Sequence, residues 1–342
     1  MSSVTDKPAK PASTAVAASP GRLRSLLTNQ QFLLLVALAA LVAYFTSRDS
    51  VFISSGEVAT MLATFSELIL MAVGETYVII SGGIDLSVGA TAGFAGVVAA
   101  FAMRDLLAGH SPEALVLTVG TVICAAVGVG IGLVNAILMN WARLVPFVAT
   151  LITLGAATGM SLVLTGGAPI GADAAAINLA AARIGPLPYL ALIVLVIVAV
   201  CWVYLHLSRY GRYTFAIGSN AFAARAAGIN VRRHTTSVYV LSGLLAGLTG
   251  MVFYMQLGSG APSSGNGAEL PAIAAVVIGG VSLFGGMGRL TGTILGALIL
   301  TVVRSGLIIA NVSPNYSQVA IAICIAVAAS LQALRPQNRS QT

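Results

Sequence analysis

The sequence predicts an all-α, polytopic membrane protein, and three observations carry that expectation. Of 342 residues, 58% are hydrophobic and only 8% are charged, against about 25% charged in soluble domains. The apolar residues gather in runs of about 17 to 25, long enough to cross a bilayer as helices that satisfy their own backbone where water is absent. The 37 glycines fit the same class, because small residues let membrane helices approach closely.

The expected spans follow the runs in order. The first is Gln30–Phe45, the second Val58–Ile80, the third Ile84–Met103, the fourth Ala114–Met139 and the fifth Phe147–Leu164. After them come Tyr189–Leu207, Thr236–Leu257, a short eighth at Leu270–Phe284, then Leu290–Ile309 and Tyr316–Leu334. About ten helices result, some broken or short, because the eighth holds Gly279-Gly280. Residues 1–28, rich in Pro, Ala, Ser and Thr, read as a disordered cytoplasmic tail, not a cleaved signal, since their small residues precede the apolar run. Residues 29–335 form the expected transmembrane domain, with a polar loop at 208–234, and residues 336–342 a C-terminal tail.

Charge sets the orientation. The proposed inner segments hold Lys7, Lys10, Arg22, Arg24, Arg143, Arg209, Arg212, Arg225, Arg232, Arg233, Arg289, Arg335 and Arg339, while the outer loops hold only Arg48, Arg104 and Arg183. Both termini are therefore expected in the cytoplasm. The net charge of +7 reflects these loops, so a nucleic-acid partner is not expected.

Composition also excludes several chemistries. The two lysines, Lys7 and Lys10, both lie in the tail, so no phosphate-cradling G-x-x-x-x-G-K-[ST] loop exists. His110, His206 and His234 lack metal-ligand spacing, and Cys124, Cys201 and Cys324 sit scattered in apolar runs. No catalytic residue, metal or bound cofactor is expected in the chain.

The most informative stretch is Ser81–Ala90, S-G-G-I-D-L-S-V-G-A. Gly82-Gly83 interrupt the helical run at roughly 1 kcal/mol each relative to alanine, and Asp85 and Ser87 stand where a new helix begins. A counterpart opens the eighth span, Gly267-Ala268-Glu269-Leu270. Spans two to five would then match seven to ten as an inverted repeat.

Glu67, Glu75, Asp85 and Glu269 are carboxylates at membrane depth, each costing at least about 2.5–3.5 kcal/mol near the bilayer centre unless it faces a cavity or a partner. They, with Gln256, are candidates for a translocation path. Helix capping is the competing reading for Asp85 and Glu269, and interfacial or paired placement for Glu67 and Glu75. A proton relay through Glu67 or Glu75 would make the chain an ion-coupled transporter. In the polar loop, Ala221–Gly228 has helix-forming composition closed by a glycine, suited either to anionic lipid or to a docked partner.

Several motifs in order, G82-G-I-D-L-S-V-G-A90, P146-F-V-A-T-L151, G211-R-Y, G218-S-N, G228-I-N-V231, A272-I-A-A-V-V-I-G-G280, G285-G-M-G-R289 and G292-T-I-L-G-A-L-I-L300, strongly resemble the permease subunits of bacterial ABC monosaccharide importers, the ribose permease above all. The likeness runs from about Leu62 to Val327. It implies a multi-pass inner-membrane permease that pairs with a second permease subunit, docks on cytoplasmic ATP-binding subunits that hold ATP and magnesium, and receives sugar from an extracytoplasmic binding protein. It also implies that Asn220, Ala221, Ala224, Arg225 and Gly228 belong to a coupling helix. Two positions depart from the family pattern. Ala221 stands where the docking segment tends to begin with glutamate, and Pro271 where an aspartate follows Glu-Leu. A permease for another small solute is the neighbouring alternative.

Overall fold

The computed structural model describes residues 30–172 and 174–313 continuously, and isolated positions between 316 and 330. Among the described residues are twelve α-helices, of which eight are long and apolar enough to cross a membrane. These eight are α1 (Gln30–Arg48), α2 (Ser55–Ile80), α3 (Val88–Ala108), α4 (Glu113–Asn140), α5 (Pro146–Thr165), α7 (Tyr189–Leu207), α10 (Val231–Leu257) and α12 (Leu290–Ile309). The shorter helices are α6 (Ala174–Ala181), α8 (Arg209–Ser219), α9 (Ala221–Ala226) and α11 (Glu269–Ile278).

The expected spans Tyr189–Leu207 and Leu290–Ile309 are met at both ends. Other boundaries shift at starts and ends alike, and α3 runs five residues past the expected Met103 to Ala108. Helix α3 begins at Val88, not Ile84, because Ser87 N–H donates to Asp85 Oδ1 at 3.0 Å and holds the chain in a turn. Helix α10 begins at Val231, not Thr236, because the Asn230 side chain accepts the Arg233 N–H and starts the helix in its charged segment. The expected eighth span shrinks to the ten residues of α11. Ten residues rise about 15 Å, half of a hydrocarbon core of about 30 Å. Glycine ends it: Gly280 has φ +85°, a conformation that side chains resist. The expected tenth span lies largely outside the described residues, and both tails lie wholly outside them.

Burial does not follow hydropathy. The most apolar spans, α4 and α7, ring the bundle and leave much surface exposed, whereas the more polar α2 and α10 are mostly buried at its centre. With lipid as solvent, polar groups are driven inward. Helix α10 packs against α2, α3 and α4, and α2 reciprocally against α10, α11 and α12. At the α4–α10 crossing Gly128 meets Gly243, and a Cβ on either would strike the other's carbonyl oxygen.

Both broken segments turn back into the bundle, from opposite ends. After α2, residues 81–87 fold back until Asp85 N–H donates to Glu75 Oε1 at 3.1 Å. At the other end β4 (Ser259–Gly260) pairs antiparallel with β1 (Ile170–Gly171). The chain then descends along α3, with Gly260 against Gly96 and Ala100, Ser264 against Gly93, and Gly265 against Gly89. The two segments meet where Glu269 opens α11 beside Gly89. A second strand pair, β2 (Arg183–Ile184) with β3 (Leu187–Pro188), forms a hairpin after α6. Neither α6 nor the strand pairs carry a strong periodic signal in the sequence.

Candidate functional site

Asp85 is the centre of a buried polar cluster. Its Oδ1 accepts from Ser87 Oγ at 2.6 Å as well as from Ser87 N–H, and its Oδ2 accepts from Ser242 Oγ of α10 at 2.9 Å. Asn135 of α4 donates through Nδ2 to Ser87 Oγ at 2.9 Å, and Thr153 Oγ1 of α5 donates to Asn135 Oδ1 at 2.6 Å. Tyr239 OH donates to the Ile84 carbonyl at 3.3 Å. One chain of hydrogen bonds thus ties α2, the break, α4, α5 and α10 together. Such a network rigidifies when it is satisfied, because low local dielectric strengthens each bond.

The other expected path residues separate. Glu75 joins Asp85 and is fully buried, and its second oxygen, Oε2, has no hydrogen-bond partner among the described residues. Glu67 stands apart, where Arg304 of α12 acts on it electrostatically. The two charges act on each other at a distance, with no ion pair between them among the described residues. Gln256 Nε2 donates to the Ala63 carbonyl at 3.1 Å, a tie between α10 and α2. Glu269 is half-buried in the first turn of α11, and Pro271 sits two residues on. Proline is at home there, where the backbone N–H has no helical partner. Sequence reasoning placed Ser87 beside Asp85 at the helix start but missed Asn135, Thr153, Tyr239 and Ser242. Asn135, an amide within an apolar run, was the one open signal.

At the end of the bundle where α2 finishes, α8 and α9 form a separate basic unit. Asn220 caps α9: its Oδ1 accepts the N–H groups of Phe222 at 3.0 Å and Ala223 at 2.9 Å. Helix α9 runs Ala221–Ala226, Ala224 is buried, and Gly228 closes the segment at φ +85°. Arg225 and Phe222 face outward. Tyr210 of α8 is pinned by Ser237 Oγ, which donates to its hydroxyl at 3.0 Å. Burial pushes that phenol up to about 12, so it stays neutral. Replacing Asn220 with Ala removes both accepted bonds and is expected to destabilise α9 by ~1 kcal/mol. The measurement is proteolysis between α8 and α10, which should quicken about fivefold.

Helix α8 also abuts the end of α2. Gly286 N–H donates to the Ile80 carbonyl at 2.8 Å, and Gly218, in the last turn of α8, packs flat over both groups. The docking unit, the end of α2 and the residues before α12 therefore share one backbone junction, five residues along α2 from Glu75. Among the described residues no group of three or more His, Cys, Asp or Glu side chains could hold a metal.

Residues 57–329 match the family described as branched-chain amino acid transport system / permease component. The chain is 38% identical over 299 residues to the ribose import permease protein of Escherichia coli K12, covering 86% of this chain and 91% of that one. It is 35% identical over 299 residues to the D-allose transport system permease of the same organism, covering 87% and 90%. It is 32% identical over 312 residues to the galactose/methyl galactoside import permease, again of E. coli K12, covering 88% and 93%. No solved structure gives a significant match.

Proposed function

We propose a function from one premise: this chain belongs to the branched-chain amino acid transport system / permease component family, the permease subunits of ABC transporters. It is a multi-pass membrane transport subunit and not an enzyme. On our reading it is the permease of an ATP-driven monosaccharide importer of ribose-like specificity. The relatives above are named for ribose, D-allose and galactose, which supports a sugar.

The basic end is assigned to the cytoplasm by its arginines. There α9 is the coupling helix, and ATP-binding subunits dock on it. The observation that carries this is the backbone junction of Gly218, Ile80 and Gly286, which makes any displacement of α8–α9 a displacement of the end of α2. An extracytoplasmic sugar-binding protein is assigned to the opposite end and selects the sugar. Two copies of this chain are assigned to the assembly. Helix α5 supports that pairing, because it presents Phe147, Leu151 and Val163 outward beside Gly155 and Gly159, where a Cβ would meet nothing within 4 Å among the described residues.

The test is uptake in proteoliposomes holding this chain, its ATP-binding subunits and its binding protein. Uptake is expected to require ATP and to survive a proton uncoupler, and the binding protein is expected to bind ribose or a close pentose. The unpartnered Glu75 Oε2 favours one second reading, coupling to an ion gradient through Glu75. Glu75→Gln separates the two. Its amide oxygen can still accept the Asp85 N–H, so ATP-driven uptake is expected to stay within about fivefold, the change about 1 kcal/mol brings. A relay would stop altogether. Transport by the purified chain on an ion gradient overturns the importer reading.

A further inference from the structure

The residues between α11 and α12, Ser282–Gly288, form a tight loop at the basic end. The Ser282 N–H donates to the Met287 carbonyl at 3.0 Å and closes the loop, and the Gly285 N–H donates to the Ser282 carbonyl at 3.0 Å. Gly285 and Gly286 hold positive φ, +82° and +73°. The loop is therefore built, and it is pressed onto the α8–α9 junction, since a Cβ on Gly286 would strike Ser219.

Its side chains point away from that junction. Phe284 is 77% exposed and Met287 64%, and across the junction Phe222 of α9 is 81% exposed. Large apolar side chains clustered on a polar face mark an interaction site, and Phe, Met and Arg are the types enriched at interface cores. The segments that carry them, residues 208–234 and 279–289, also hold Arg209, Arg212, Arg225, Arg232, Arg233 and Arg289 and contain no Asp or Glu. The surface calls for a partner with apolar pockets inside an acidic rim.

From these contacts the geometry points to a second docking element: Phe284 and Met287 of the 282–288 loop anchor the same ATP-binding subunit that engages α9. This rests on the docking role proposed above and extends it. The partner would grip both sides of the junction at once, so closure of the ATP-binding subunits moves α9 and the start of α12 as one body. A single contact on α9 could instead rotate about Asn220.

The test uses the full chain co-expressed with its ATP-binding subunits and purified from membranes. Phe222→Asp probes α9, and the pair Phe284→Asp with Met287→Asp probes the loop. All three side chains are exposed, so melting temperatures are expected to match the parent chain. The loop pair is expected to reduce co-purified ATP-binding subunit about tenfold or more, as loss of an anchor does, while Phe284→Leu retains it. Independently, a cysteine at 284 is expected to label with a membrane-impermeant maleimide in inside-out vesicles, and to be protected when the partner is present.

Loss of the partner in Phe222→Asp but not in the loop pair overturns the second anchor and leaves the docking role of α9 standing. Retention in both sets overturns the docking role itself. A cysteine at 284 that never labels, even without the partner, assigns the loop to the lipid surface and likewise overturns the second anchor.

Discussion

Gly218→Ala is expected to reduce ATP-driven uptake by more than about tenfold while the protein still inserts in the membrane. A methyl group at 218 would land on the Ile80 carbonyl oxygen and lie 2.6 Å from the Gly286 nitrogen. Those two groups are hydrogen-bonded to each other, so the methyl must separate them or lift α8 off α2. Forcing extra volume into a packed site costs about 1–3 kcal/mol, and the buried hydrogen bond adds about 1 kcal/mol. At about 1.4 kcal/mol per tenfold, the lower part of that range already breaks the coupling geometry. Gly130→Ala is the control. Gly130 lies within α4, where a Cβ would meet nothing inside 4 Å among the described residues, so alanine there is expected to gain roughly 1 kcal/mol of helix propensity and to leave transport unchanged. Equal behaviour of the two variants in uptake and in thermal melting would show that the junction transmits nothing.

The difference between these two glycines also shows what the sequence could and could not tell. The sequence marks neither as special, and only the fold reveals that one has open space and the other has a carbonyl. The spans were legible because membrane helices must be long and apolar, a requirement each segment meets by itself. The break at Gly82–Ser87 was legible for the same local reason, since glycines and a carboxylate stand where hydrocarbon disfavours them. The α9 helix was legible in its composition and its closing glycine. The partners of Asp85 were not. Ser242 lies 157 positions later in the chain, and no local pattern distinguishes it from other serines in membrane helices. Gln256 is visible in the sequence as a polar residue within a span, but its bond to the Ala63 carbonyl, 193 positions earlier, is not. Glu67 and Arg304 were each visible as charges, but their proximity depends on how α2 meets α12. Helix α6 and the short strands went unread because they owe their form to packing, with too few residues for periodicity.

The Asp85 cluster yields the second large effect, and the choice of substitution decides what is learned. Asp85→Ala removes the acceptor of three donors: the Ser87 N–H, the Ser87 hydroxyl and the Ser242 hydroxyl. Each buried donor left without a partner costs about 1–3 kcal/mol, so alanine is expected to lower stability by roughly 3–5 kcal/mol. In denaturant titration of the protein in lipid-detergent micelles, that is a large shift of the midpoint. Asp85→Asn keeps the shape. Its carbonyl can still accept from Ser87, and its amide can donate to Ser242, whose hydroxyl is free to turn and accept. If the cluster works as a tie of hydrogen bonds, asparagine therefore stays within about 1 kcal/mol of the parent and keeps most ATP-driven uptake. Ser242→Ala should then cost less in the asparagine background than in the parent, and a double-mutant cycle reads that difference directly. An asparagine variant as damaged as alanine would mean that the negative charge itself is needed, and the cluster would have to be redrawn as a charged site.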